Sequence, residues 1–302
     1  INKDCVSTLL YNNPELKKVK IDQKSILDVD LKKLNSEIKK PIDVLFGGIV
    51  CKGFSLAGEK SPNDIRNNFY KTQIDFTKEL NPKISIIENV SAIKNAVVLL
   101  PSTPKKVLKD IDEIWSNLNI IKGKKAANRK QGVSNQDLDL QSTLFRKRKQ
   151  DVLDLLKKQG LLVPVVQDIK DRFNKIGYNV QVETLNSAWY GSSTKRNRVI
   201  IVAIRKDIKK EFRYPFPSYY SKGVGVPLKK WDIKKIESLK SCLTVGDALK
   251  KIKYDPKDID NHPMNHNPKT IERFKYIPEG DSIANHIENL PTHLKISKFY
   301  SR

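Results

Sequence analysis

The stretch DVLFGGIVCKGFSLAGEK, residues 43–60, decides the fold of this chain. It opens with apolar residues that suit a buried strand, and Gly47 and Gly48 then predict that the strand breaks. Gly53 follows Cys51 by two positions, so we expect the cysteine to lie in a turn bracketed by glycines. In α/β proteins, turns at the carboxyl edge of the sheet hold the chemistry. Cys51 is therefore a candidate nucleophile, although a lone cysteine is most often a small buried hydrophobic residue.

A second apolar run, KISIIENV at residues 83–90, stops abruptly at Glu88 and also predicts a strand. Between the two runs, Ser61 or Asn63 can cap a helix. The apolar residues of that helix recur at roughly helical spacing: Ile65, Phe69, Ile74 and Phe76. The order is that of a βαβ unit, whose right-handed crossover makes its strands parallel and usually adjacent. We therefore expect Cys51 and Glu88 to leave the same sheet edge, within reach of one substrate.

These stretches resemble motifs of the DNA cytosine-C5 methyltransferases. GGIVCKGFS, residues 47–55, is similar to the family's GGxPCQGFS loop, and residues 88–90 match its ENV motif. A third element, a tyrosine–glycine turn followed by QxRxR and a strand, is matched by Tyr190, Gly191, Thr194, Arg196 and Arg198. The resemblance implies an α/β fold, with a Rossmann-like S-adenosylmethionine-dependent methyltransferase sheet and a smaller, irregular target-recognition region.

The resemblance also implies a role for each matching residue. Cys51 would add to cytosine C6, and Glu88 would protonate N3 as the general acid. Arg196 and Arg198 would bind O2 or support the loop electrostatically. Substrate or DNA contacts are implied for Lys52, Ser55, Asn89, Val90 and Thr194. Cofactor contacts are implied for Ile1, Ser25, Ile26, Val50 and Phe69.

Three departures from the family pattern bear on activity. Val50 stands where the family has proline, which releases a fixed φ angle and restores a backbone donor. Lys52 stands where the family has glutamine, and a nearby ammonium favours the thiolate. Thr194 replaces glutamine with a shorter side chain that cannot make the same hydrogen bonds.

The cofactor positions have structural alternatives. Ser25 and Ile26 fit a plain buried strand or its end equally well, and Phe69 fits a core aromatic. The family's phenylalanine–glycine cofactor motif is not in the sequence, and its ninth and tenth motifs would follow Arg302. Because residue 1 is Ile1 rather than methionine, we expect the native start to lie further upstream.

The domain organisation follows from these matches. We expect a catalytic domain over residues 1–206, interrupted by a basic insertion at about 102–160, and a partial target-recognition region over 207–302. Within the insertion, an amphipathic helix is predicted from residue 105, with an apolar face of Val107, Ile111, Ile114, Trp115 and Leu118. Residues 121–140 are basic and poor in apolar residues, which predicts a flexible loop. The RKRK run at 146–149 is a solvated face or a set of phosphate contacts.

Composition limits the partners. The 302 residues carry a net charge of +23, which favours a polyanion, although genome bias also enriches lysine. Three cysteines, Cys5, Cys51 and Cys242, form neither a disulfide framework nor a zinc cluster, which fits a reducing cytosol. His262 and His266 lack further ligands at fitting spacing, so no metal is expected. No apolar run reaches membrane-spanning length and no signal peptide is visible, so we expect no membrane and a prokaryotic cytosol or nucleoid location.

The sequence thus predicts a DNA (cytosine-5-)-methyltransferase of a restriction-modification system. It would methylate a flipped-out cytosine in a specific sequence of double-stranded DNA, using S-adenosylmethionine and releasing S-adenosylhomocysteine. The alternatives are a catalytically impaired DNA-binding homologue, one subunit of a split methyltransferase and, more weakly, an RNA cytosine-C5 methyltransferase. Further partners would be a complementary subunit or a cognate restriction endonuclease.

Overall fold

The computed structural model describes residues 3–19, 21–49, 61–250, 252–253, 255–257 and 265–296. The chain divides into two compact units, Ile1–Val245 and Gly246–Arg302. The helices are α1 (Lys3–Asn12), α2 (Leu31–Glu37), α3 (Phe69–Leu80), α4 (Lys105–Gln131), α5 (Gln136–Lys158), α6 (Val165–Lys175), α7 (Ile233–Glu237), α8 (Val245–Leu249) and α9 (Pro268–Phe274). The strands are β1 (Val44–Gly48), β2 (Ile84–Val90), β3 (Val97–Leu99), β4 (Leu162–Pro164), β5 (Tyr178–Asn186) and β6 (Asn197–Arg205).

Four strands form a mixed sheet in the order β1-β2-β6-β5. β1 and β2 are parallel neighbours, with Gly48 opposite Glu88, and α3 connects them. The predicted βαβ unit is therefore confirmed. β6 runs antiparallel to both β2 and β5, while β3 and β4 pair separately. The expected break at Gly47 was wrong, because β1 continues through both glycines.

Gly47 lies inside β1 because α3 approaches the strand closely there. A Cβ atom at this position would meet Gln73 Oε1 at 2.3 Å. Gln73 is buried and donates from Nε2 to Ser85 Oγ at 3.2 Å. Thr77 Oγ1 lies 2.8 Å from the same hydroxyl. The glycine therefore makes room for a buried polar contact between α3 and the sheet.

The start of α3 also differs from its prediction. A 3₁₀ turn over Ile65–Asn68 precedes the helix, and Asp64 caps that turn by accepting from Arg66 N at 2.9 Å. Ser61 Oγ instead accepts from Asn63 N at 3.3 Å. Asp64 takes the capping role in the structure, where its carboxylate also binds the Arg66 guanidinium.

Both faces of the sheet are covered at β2, β5 and β6. On β1, Val44 and Phe46 are 51% and 64% exposed, so the prediction of a buried strand was wrong there. On one face, α3 and α6 pack against β2, β5 and β6, with Ile169 and Phe173 of α6 fully buried. Alternation along β6 places Ile201 on this face and Val202 on the other. The second face is covered by the chain that follows β6, through residues such as Tyr214. Two-sided burial explains why β6, VIIVAIR at its core, is almost wholly apolar.

The segment that follows Arg205 therefore packs against the sheet. Tyr214 and Leu228 are buried against β6, and the first compact unit extends to Val245. The functional division between residues 206 and 207 remains a prediction. In the second unit, short 3₁₀ turns follow α9, and Arg273 Nε donates to Leu294 O at 2.8 Å.

The basic insertion forms a helical hairpin. α4 continues to Gln131 and α5 begins at Gln136, so the predicted flexible loop at 121–140 was wrong. Gly132, with a φ of 71°, ends α4 in the left-handed conformation. The buried apolar residues of the hairpin are Ile111, Ile114, Trp115, Ile121 and Leu156. The apolar face thus continues past residue 120, and tertiary packing stabilises helix where polar composition predicted a loop.

The stretches DVLDLLKKQGLLV, residues 151–163, and VVQDIKDRFNKIG, residues 165–177, predict helices that stop at Gly160 and Gly177, and both stops are confirmed. α5 ends at Lys158 before Gly160, whose φ is 66°, and α6 ends at Lys175 before Gly177, whose φ is 89°. Only glycine adopts this left-handed conformation without steric cost, so both helices end at glycines. The stretch YNVQVETLN, residues 178–186, predicts a strand after Gly177, and β5 follows that glycine directly.

Candidate active site

The carboxyl ends of β1 and β2 define the candidate site. Gly48 and Glu88 are register partners there, and Ile49 continues β1 toward Cys51. Cys51 itself lies outside the described residues, as do four other predicted site residues: Ile1, Val50, Lys52 and Ser55. Their roles remain predictions. The described part of the site consists of the side chains that surround the start of this loop.

Glu88 forms an ion pair with Arg198. Arg198 Nε lies 2.7 Å from Glu88 Oε1, and the exposed fractions of the two side chains are 20% and 34%. Arg198 Nη1 also donates to the backbone oxygen of Asn197 at 2.8 Å. In the described part of the chain, no residue hydrogen-bonds to Glu88 Oε2 or to Arg198 Nη2. Among the described residues, the pair is therefore held at one side only.

Strand register brings these two residues together. β6 lies antiparallel beside β2, with Arg198 opposite Val90 and Ile200 opposite Glu88. Glu88 and Arg198 are 110 positions apart in sequence, yet the pairing of two strands makes them diagonal neighbours. Arg196 is not part of this pair. It is exposed, forms no ion pair with another described residue, and lies in the turn before β6.

Asn89 joins the ends of the two parallel strands. Its side chain is 1% exposed, and Nδ2 donates to the backbone oxygen of Ile49 at 3.3 Å. Its Oδ1 accepts from Val90 N at 2.9 Å. Since Ile49 precedes Cys51 by two residues, Asn89 positions the start of the cysteine loop. Val90 is half-buried and ends β2.

The turn between β5 and β6 holds Thr194 through its backbone. Ser187 Oγ donates to Thr194 O at 2.6 Å, and Ser187 N donates to Arg196 O at 2.9 Å. The Thr194 side chain is exposed and makes no hydrogen bond with another described residue. Gly191 closes the turn with a φ of 89°. The turn therefore fixes the backbone that leads to Arg198.

Tyr190 braces this turn against the following segment. Its hydroxyl donates to Pro215 O at 2.9 Å. Burial raises the pKa of Tyr190 to about 12, because the neighbouring protein disfavours the charged phenolate. The tyrosine is thus a neutral donor at physiological pH, which suits a role in positioning the turn.

Asn186 is a site-supporting residue that the motif search missed. It is fully buried, donates from Nδ2 to Asn197 Oδ1 at 2.7 Å, and accepts from Ala188 N at 3.0 Å. It therefore closes the hairpin that carries Arg198. An asparagine followed by serine at the end of an apolar strand is a turn signal that could have identified it.

Three of the residues predicted to contact the cofactor are described by the structure, one polar and two apolar. Ser25 and Ile26 are exposed, and Ser25 Oγ accepts from Leu27 N at 3.2 Å at the start of a 3₁₀ turn. The alternative that they form a buried strand is therefore wrong. Ile26 is 46% exposed, and Phe69 is half-buried at the start of α3. Their apolar surfaces are of the type that contacts an adenine ring, so cofactor binding by these residues remains a prediction.

The described residues contain no group of three or more histidine, cysteine, aspartate or glutamate side chains placed to hold a metal ion. His266 stacks edge-on against Phe274 at 5.4 Å, and His262 lies outside the described ranges. Among the helices of the described ranges, none combines the length and apolar character needed to cross a membrane.

Fold and site together define an α/β protein with a mixed sheet. A carboxylate–guanidinium pair lies where β2 ends and β6 begins, beside the end of β1 that leads to the cysteine loop. The family model for C-5 cytosine-specific DNA methylases matches residues 1–114 and 152–299. The chain belongs to this family, as its three motifs predict.

Similar proteins carry related names. The chain is 24% identical over 264 residues to the Type II methyltransferase M.NgoFVII of Neisseria gonorrhoeae, covering 86% of this chain and 50% of that protein. It is 26% identical over 217 residues to M.Sau96I of Staphylococcus aureus, covering 72% and 35%. It is 24% identical over 302 residues to M.Eco47II of Escherichia coli, covering 99% and 51%. The chain thus spans about half or less of the length of these relatives.

Among solved structures, the chain is similar to a putative DNA modification methyltransferase encoded within an Escherichia coli prophage. The two share 16% sequence identity with a TM-score of 0.42, over 96% of this chain and 60% of that one.

Proposed function

We propose that this chain forms the catalytic part of an enzyme that methylates C5 of cytosine in a specific sequence of double-stranded DNA. The observation that supports the proposal is the Glu88–Arg198 pair at the sheet edge, 2.7 Å apart, beside the strand that leads to Cys51. Membership of the C-5 cytosine-specific DNA methylase family supports the same reaction. The Rossmann-like arrangement of the whole catalytic domain is part of this proposal.

The first step requires a nucleophile. Cytosine C5 is a poor nucleophile because the ring is aromatic and electron-poor. In the proposed mechanism the Cys51 thiolate adds to C6, and the electron pair of the C5–C6 bond becomes available at C5. The target base must leave the helical stack first, because a stacked cytosine exposes neither face to the thiol.

Glu88 neutralises the negative charge that this addition creates. Addition at C6 pushes electrons toward N3 and O2, and a proton delivered by the Glu88 carboxyl to N3 neutralises them. Arg198 holds Glu88 through Nε, while its Nη2, which hydrogen-bonds to no described residue, suits a hydrogen bond to O2. Arg196, exposed in the preceding turn, would support the same region.

S-adenosylmethionine supplies the methyl group as an electrophile for C5. Ile1, Ser25, Ile26, Val50 and Phe69 are the residues proposed to hold it. After methylation, a base removes the C5 proton, the electrons re-form the C5–C6 double bond, the Cys51 sulfur leaves, and N3 returns its proton to Glu88. The thiol therefore returns to its starting state.

The remaining predicted residues would hold the nucleotide. Lys52 and Ser55 are of the type that binds a phosphate, and Thr194 presents an exposed hydroxyl beside Arg196. Asn89 and Val90 would act mainly by positioning the Cys51 loop. Relatives of this chain are named Type II methyltransferases, so we propose the modifying role of a restriction-modification system in a prokaryotic cytoplasm.

A second candidate is a DNA-binding homologue with impaired catalysis, or one subunit of a split enzyme. The observations that favour it are Val50, Lys52 and Thr194, which depart from the family pattern at the loop and the turn. Such a protein would bind DNA but would not form a covalent intermediate by itself.

Covalent trapping tests the proposal. The protein in its full natural form is incubated with S-adenosylmethionine and a duplex library that contains 5-fluorocytosine, whose fluorine cannot be removed as a proton. An active enzyme remains attached and marks its own target. Cys51→Ala should abolish the denaturant-resistant adduct, whereas the matched controls Cys5→Ala and Cys242→Ala should retain it. Salt-sensitive DNA binding without an adduct would instead support the second candidate, and an adduct on RNA alone would support an RNA substrate.

A further inference from the structure

The outer part of the helical hairpin lies outside the match to the family model. The family model matches residues 1–114 and 152–299, so the 115–151 segment falls outside it. This segment is helical, apart from the turn at residues 132–135. It contains nine lysine and arginine residues against three aspartates. The excess of positive charge on this segment is not explained by the stability of the fold alone.

Three of these cations stabilise the hairpin itself. Lys125 Nζ lies 2.6 Å from Asp139 Oδ1, and Arg148 Nη1 lies 3.1 Å from Glu113 Oε1. Lys149 Nζ lies 4.6 Å from the centre of the Trp115 ring, a cation–π contact. Each contact joins α4 to α5. The second half of the RKRK run is therefore used inside the hairpin.

Five other cations of this segment are available to bind an external partner. They are Lys122, Lys124, Arg129, Arg146 and Lys147, and all five are exposed. None of their side chains forms an ion pair or a hydrogen bond with another residue in the described part of the chain. Like charges gathered on one thin element repel each other, which opposes the compact state unless an anion approaches. The first half of the RKRK run belongs to this group.

The base of the hairpin adjoins the segment that follows the cysteine loop. A cleft of about 410 Å³ lies between residues 61–66 and α4, lined in part by Arg66, Trp115 and Asn119. Asn63 Nδ2 donates to Asp112 Oδ1 at 2.8 Å across this junction. Because Ser61 follows the motif stretch 43–60 directly, the hairpin begins beside the end of the proposed catalytic loop. We therefore expect DNA that presents a base to this loop to pass near the hairpin.

We propose that the exposed cations of this hairpin bind phosphates of the DNA that flanks the target cytosine. The proposal rests on the proposed function, and adds a binding element to it. Phosphate contacts set position and affinity without reading sequence. The hairpin therefore strengthens DNA binding and leaves the choice of target sequence to other residues.

Salt-dependent binding tests the role of the hairpin. In the full natural protein, Arg146→Gln/Lys147→Gln is compared with Lys78→Gln/Lys175→Gln. The control removes the same charge from two exposed residues near the ends of α3 and α6. These helix ends precede β2 and β5, and lie at the end of β2 opposite to Glu88. Duplex affinity is measured from 50 to 200 mM salt. Each lost phosphate contact lowers the slope of log affinity against log salt by about 0.9.

We expect the hairpin variant to lower the slope by about 2 and to weaken binding roughly tenfold to a hundredfold. The control should change both quantities little, and sequence preference should persist in each variant. Equal slopes for hairpin variant and control would overturn the proposal, and so would a loss confined to structured RNA. Because Cys51 trapping is a separate readout, a catalytically inactive protein that still shows the slope change would contradict the proposed function alone. Absence of any DNA binding by the natural protein would contradict both.

Discussion

At the scale of single residues, the site depends on one ion pair and one buried amide. Arg198 fixes one oxygen of Glu88, and Asn89 fixes the backbone from which the Cys51 loop departs. Both contacts join neighbouring strands at the same edge of the sheet. A carboxyl held by a side chain on a rigid strand needs little reorganisation during the reaction, which is the condition for effective general acid catalysis.

Replacing the Glu88 carboxyl tests its proposed role. Glu88→Gln preserves the size of the side chain and a hydrogen-bond acceptor for Arg198, but it removes the proton donor. We expect single-turnover methyl transfer to fall by about 10²- to 10⁴-fold, with duplex binding nearly unchanged. Glu79→Gln, at the end of α3, is the matched control and should keep its activity. Equal rates in the two variants would remove Glu88 from the mechanism.

Asn89 offers a test of positioning. Asn89→Ala leaves the Ile49 carbonyl without its buried partner, and we expect the free energy of unfolding to fall by about 1–3 kcal/mol. Covalent trapping through Cys51 should also slow, because the loop loses a fixed starting point. Chemical denaturation and adduct formation are the measurements. A destabilised variant that traps DNA at the normal rate would show that the amide serves folding alone.

At the scale of elements, the approach of α3 to β1 decides how the strand reaches the site. Gly47 leaves the space that the Gln73 side chain occupies, and Gln73 in turn binds Ser85 on β2. One helix thereby contacts both parallel strands. The hairpin of α4 and α5 shows the opposite situation, because its own small apolar core and cross-helix pairs keep it helical.

A methyl group at Gly47 should disturb this arrangement. Gly47→Ala forces the Gln73 amide away from Ser85, and we expect a loss of about 1–3 kcal/mol of stability. Gly48→Ala is the control, since a Cβ there meets no atom of a described residue within 4 Å. Thermal unfolding measures both. Because the clash involves Gln73, combining Gly47→Ala with Gln73→Ala should cost less than the sum of the two single changes; strict additivity would locate the strain elsewhere.

At the scale of the whole molecule, charge governs behaviour. A net charge of +23 over 302 residues favours polyanion binding and makes the chain sensitive to acid. Hydrogen bonds from Arg66 lower the pKa of Asp64, and those from Arg205 lower the pKa of Asp207. Backbone and side-chain hydrogen bonds from Ser282, His286 and Asn285 lower the pKa of Asp281. These carboxylates bind fewer protons in the folded state than in the unfolded chain.

Acid should therefore unfold the protein through these groups. A folded pKa below the unfolded value of 3.8 means that the stabilisation is present above that pH and is lost as the pH falls through the folded pKa. Asp64→Asn keeps a capping side chain but removes the charge. We expect it to be less stable than the natural protein at pH 6 and nearly equal once the pH falls below the folded pKa of Asp64. Denaturation followed by circular dichroism across pH checks this, and a difference that persists in acid would contradict it.

Several features of this protein follow from sequence alone. The βαβ unit, the helix ends at Gly160 and Gly177 and the family motifs are local patterns, because periodicity, left-handed φ angles and turn chemistry act over a few residues. The same patterns led to the family that the comparison supports. They also singled out Glu88 and Arg198, but without showing that the two side chains meet.

Only the tertiary structure decided the rest. The pairing of Glu88 with Arg198 depends on β6 inserting antiparallel beside β2, a choice that no local pattern contains. The helical hairpin was missed because residues 121–140 are polar, whereas buried Ile121 and the Lys125–Asp139 pair stabilise helix there. Gly47 serves the approach of Gln73 instead of a turn. In each case the deciding free energy comes from contacts between residues distant in sequence, which exist only once the chain has folded.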